Sequence, residues 1–116
     1  MGSDRVMLMI GRLEILTREA ERLASHNPSV GNMPQGGIRS MFVSDDDRAD
    51  DARFESLLSE ASGIIYSIGD VFQAYGISVE DARVSEAFYD VRSARDAVSA
   101  MRRAIGALRA KAMLLP

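Results

Sequence analysis

Arg95, Arg102 and Arg109 stand seven residues apart, so on a helix they share one face. A row of guanidinium groups can grip phosphate or carboxylate in a planar, two-pronged way. Arg92, Arg103 and Lys111 lie close by and extend the positive character of this stretch. The row is therefore a candidate contact for an anion or for nucleic acid. Three features weigh against it. Asp90 and Asp96 dilute its early part. The chain carries 14 Lys and Arg against 17 Asp and Glu, a net charge of −3, whereas a general nucleic-acid binder carries a basic surplus. No aromatic residues interleave the arginines to stack on bases. A solvated helix face is the ordinary reading. Nucleic-acid association stays as a disfavoured alternative, and a small helical enzyme with an arginine-lined anion site as another.

The remaining chemical candidates are sparse. His26 is the single histidine, with no nucleophile or carboxylate at a recognisable spacing, and it falls where a helix should end. Histidine there ordinarily interacts with the last carbonyls. Asp45, Asp46, Asp47, Asp50 and Asp51 could attract a hard cation. However, Arg48 and Ala49 interrupt the run, no glycine follows, and a helix-capping acidic segment explains it better. The glycines from Gly31 to Gly37 lack the Lys of a phosphate-binding loop and read as a turn. With no cysteine in the chain, disulfides and thiolate metal sites are excluded. The sequence assigns no catalytic residue, metal or cofactor.

The elements that must carry these residues are helices. Apolar residues recur at three-and-four spacing through Val6, Met9, Leu13, Leu16, Ala20 and Leu23. A second stripe runs through Phe54, Leu58, Ala61, Ile65, Ile68, Phe72 and Tyr75. A third runs from Val84 through Ala94, Val98, Met101, Ile105 and Leu108 to Ala112. These patterns predict helices over about 4–26, 51–75 and 79–112, the third being the longest. The expected fold is an all-α bundle of three helices in a single domain of 116 residues. Ser3 or Asp4 caps the first helix, and Asn27-Pro28 stops it. Glu14 and Arg18, four apart, are expected to pair. Gly76 stops the second helix, Gly63 and Gly69 permit close approach by a neighbour, and Ser78 with Asp81 resembles a capping box.

Residues 27–50 read as a long connection broken by Pro28, Gly31, Pro34 and Gly36. It contains the apolar pair Met41 and Phe42, which either forms a docking arm or folds back over the bundle end.

Helix one has more apolar surface than one stripe requires. Leu8 and Ile15 lie about 120° from the stripe centre, and Met7 lies off the other side. A helix apolar nearly all round is usually buried on several sides. Tyr66 and Tyr89 also point away from their stripes, and tyrosine is enriched at interfaces. Met7, Leu8, Ile15, Met41, Phe42, Tyr66 and Tyr89 are therefore the expected protein-interface residues. The expectation is a small protein-binding regulator or adaptor that docks apolar helix surface onto a partner, for instance to sequester a transcription factor or secretion substrate. A homodimer is expected to complete the bundle. No apolar run is long enough to span a membrane, the N-terminal apolar run is too short and charged for a secretory signal, and the expected compartment is the cytoplasm.

Overall fold

A computed structural model describes residues 2–27, 30, 44–78 and 94–115. Helix α1 spans Gly2–His26, α2 spans Asp45–Ala74 and α3 spans Ala94–Ala112. Among the described residues the fold is all-α. None of these helices is long and apolar enough to cross a membrane.

Helix α1 is the centre of the arrangement. It packs against both α2 and α3, which barely touch each other among the described residues. The inward stripe of α1 is Val6, Ile10, Leu13, Leu16 and Ala20, all fully buried, with Met9 and Leu23 half-buried at its edges. Thr17 is buried on the same face. Its hydroxyl donates to the Leu13 carbonyl at 2.7 Å, so the polar group costs little to hide. From α2 come Phe54, Leu57, Ala61, Ile65, Ile68 and Phe72. Leu57 takes the central position expected of Leu58, which is half-buried, and Tyr75 stands exposed beyond the helix end. From α3 come Ala94, Ala97, Val98, Met101, Ala104, Ile105 and Leu108. Its many alanines let this helix lie close to α1.

Ion pairs fix the directions. Arg12 meets Glu60 at 3.1 Å and Glu19 meets Arg53 at 3.1 Å, so α1 and α2 are antiparallel. Both helices read Arg and then Glu seven residues later. Antiparallel packing sets unlike charges side by side, whereas a parallel arrangement in the same faces would oppose Arg to Arg and Glu to Glu. Each exposed pair is worth only about 0–1 kcal/mol, but the four charges together discriminate between directions. Glu21 pairs with Arg102 and Glu14 with Arg109, so α3 is also antiparallel to α1. The two flanking helices therefore run parallel to each other.

The helix ends obey local chemistry. Helix α2 starts at Asp45, six residues ahead of the expected start, because Ser44 caps it by accepting the Asp47 N–H at 3.1 Å. Asp45, Asp46 and Asp47 then occupy the first turn, where the helix dipole favours negative charge. At the other end Gly76 adopts φ 72°, the left-handed conformation that glycine reaches without a Cβ clash. Its N–H donates to the Gln73 carbonyl and that of Ile77 donates to the Phe72 carbonyl, which completes a Schellman stop. Helix α3 is seen from Ala94. The expected first part of that helix, over 79–93, lies outside the described residues, as does most of the connection over 27–50. Among the described residues the longest helix is α2, with 30 residues against 19 for α3. The molecule measures 54 × 21 × 17 Å, a rod slightly longer than α2 itself at about 45 Å.

Candidate functional site

The outward face of α1 looks away from the core between its two neighbours. At 100° per residue, Asp4, Leu8, Gly11, Ile15, Arg18 and Arg22 all fall on this face, with Met7 at its α3 side. Leu8 is 78% exposed, Met7 45% and Ile15 44%. The expectation that this helix is buried on several sides does not hold within one chain. A single side is buried, and the surplus apolar residues face solvent. Between Leu8 and Ile15 lies Gly11, where an added Cβ would meet nothing within 4 Å. Glycine inside a helix costs up to about 1 kcal/mol relative to alanine. Here no neighbour within the chain requires it.

Ion-pair rows border this face on both sides. Arg12 and Glu19 with their α2 partners form one border, and Glu14 and Glu21 with their α3 partners form the other. The face is thus an apolar strip framed by neutralised charge, with Asp4 near one end and Arg18 and Arg22 near the other.

The arginine row on α3 is spent inside the molecule. Arg102 and Arg109 pair with Glu21 and Glu14 on α1, and only Arg95 stands beyond the reach of that row. Glu14 accordingly pairs with Arg109 and not with Arg18. The sequence held the signal for this: Glu14 and Glu21 have the same seven-residue spacing as Arg102 and Arg109. A surface already neutralised by carboxylates is poorly suited to hold phosphate.

The acidic segment is spent in a similar way. Asn27 is buried at the C-terminal end of α1, where its N–H donates to the Leu23 carbonyl at 2.8 Å. Its side-chain amide donates to Asp47 Oδ1 at 2.7 Å and to Asp50 Oδ2 at 3.2 Å. Carboxylates only accept, so the two acceptors dictate which way the amide points. This clasp ties the end of α1 to the start of α2. Sequence reasoning saw Asn27 only as a stop before proline. Among the described residues no three His, Cys, Asp or Glu side chains are placed to hold a metal ion. His26 is exposed at the last turn of α1.

Tyr66 is exposed too, yet it does not join the α1 face. It projects from the flank of α2 opposite the one carrying Arg53 and Glu60. Met113, 85% exposed, follows the end of α3 four residues after Arg109. The register set by Glu14 and Arg109 puts Met113 and the exposed Leu114 level with the Met7 end of α1. Sequence reasoning named neither as an interface residue. Gly63 has open space above it, so the close approach expected there is not made by a neighbour within the chain. Met41, Phe42 and Tyr89 lie outside the described residues. Comparison with protein-family models, with curated proteins and with solved structures gave no match, so the site is read from its own geometry.

Proposed function

We propose that this chain is a protein-binding module of regulatory or adaptor type, not an enzyme, and that the outward face of α1 is its docking surface. One observation carries the reading: Leu8, Met7 and Ile15 cluster on the one α1 face that neither neighbouring helix covers. Isolated apolar residues on a surface are ordinary. Three on one helix face, around a glycine that leaves the backbone open to close approach, form a seat for another helix or groove. Burying a side chain such as Leu8 contributes about 1.5–3 kcal/mol, enough for a few such residues to anchor a complex.

A photo-crosslinker in place of Leu8 tests this in the producing cells, with the same group at Gly63 as control. The expected result is a discrete protein adduct from position 8 that disappears when Ile15→Asp is added and is absent from position 63. Equal, diffuse labelling from both positions would count against the proposal.

A further inference from the structure

We infer that the partner on the α1 face is a second copy of this chain, packed antiparallel about a two-fold axis through Gly11; this rests on the docking role proposed for that face. The charge pattern is what selects the occupant. Asp4 and Arg18 each lie seven residues from Gly11, one on either side, and both project on the outward face. Neither is in an ion pair among the described residues. An antiparallel copy centred on Gly11 brings residue i of one chain level with residue 22 − i of the other. Asp4 of each copy then meets Arg18 of its mate. Met7 of each copy comes level with Ile15 of its mate, and Leu8 comes level with Glu14, one residue from Ile15. A parallel copy would oppose Asp4 to Asp4 and Arg18 to Arg18. The face is self-complementary in one direction only, as a two-fold interface requires.

Gly11 then has a purpose. At the crossing point of two helices a missing side chain lets the backbones approach closely, and the open space above Gly11 is where the second backbone would lie.

Three measurements on the purified full chain test the inference. Sedimentation equilibrium should return twice the 12.7 kDa chain mass in the micromolar range. The chain has no cysteine, so Gly11→Cys introduces a single thiol. Mild oxidation should link two copies at this position. Asp4→Cys should not link, because its two copies lie about 21 Å apart along the helix axis. Asp4→Arg or Arg18→Glu alone should weaken the dimer about tenfold, and the two together should restore it. A monomer at all concentrations overturns the inference, as does a dimer that Gly11→Cys fails to link or that charge reversal leaves unchanged. If the crosslinker at Leu8 labels only a different protein, the second-copy inference fails and the docking role stands. If it labels nothing, both fail.

Discussion

The two ends of the rod are built on opposite principles. At the end where α1 finishes and α2 starts, polar groups face one another: Asn27 spans to Asp47 and Asp50, Ser44 caps α2, and Glu19 meets Arg53. At the end where α1 starts and α2 finishes, the large exposed apolar residues gather: Met7, Leu8, Tyr66, Tyr75, Met113 and Leu114. Beneath both surfaces the core is continuous, with Phe54 fully buried at the first end and Phe72 at the second. The contrast is therefore one of surfaces and not of interior. One end satisfies its own polar groups within the chain, and the other leaves large apolar side chains exposed.

Five substitutions probe that contrast, beginning with the largest effects. Phe54→Ala and Phe72→Ala should each cost about 3–5 kcal/mol in urea unfolding, because each empties a similar volume in one shared core. A large inequality between them would mean that the ends differ inside as well as outside. Next, Asn27→Ala should cost about 1–3 kcal/mol by removing the donor that two carboxylates share. Asn27→Asp should cost more than Asn27→Ala, since it gathers three carboxylates where an amide stood. Equal thermal midpoints for wild type and both variants would dissolve the clasp. The smallest effect belongs to Gly63→Ala, which should raise stability by up to about 1 kcal/mol, since open space lies above this helical position. A loss of stability there would mean that the outward face of α2 is occupied.

Periodicity carried much of this architecture. Apolar spacing is a direct consequence of helix geometry, so the stripes through Leu13, Ile65 and Met101 were legible without coordinates. So was the misfit of Leu8 and Ile15, because a residue on the wrong side of a wheel is wrong in any tertiary setting. What pairs with what was harder to read. Arg102 and Arg109 looked like an open basic strip because their partners, Glu14 and Glu21, lie more than eighty residues away in the chain. Local pairing rules favoured Glu14 with Arg18, and tertiary packing placed an arginine of α3 there instead. The start of α2 was misplaced for a related reason. A dense acidic run resembles a solvated loop until Ser44 is recognised as the cap that turns it into a first helical turn.

The central place of α1 has a consequence for what can be removed. Among the described residues its two flanks barely touch each other, so each rests chiefly on the middle helix. A chain that ends after Ser78 would retain an antiparallel hairpin with the Asn27 clasp and both Arg–Glu contacts to α2. A chain that begins after His26 would lose the helix against which the described parts of both flanks pack. Circular dichroism of the two fragments should find cooperative melting in the first and none in the second; the reverse result would shift the organising role from α1 to its flanks.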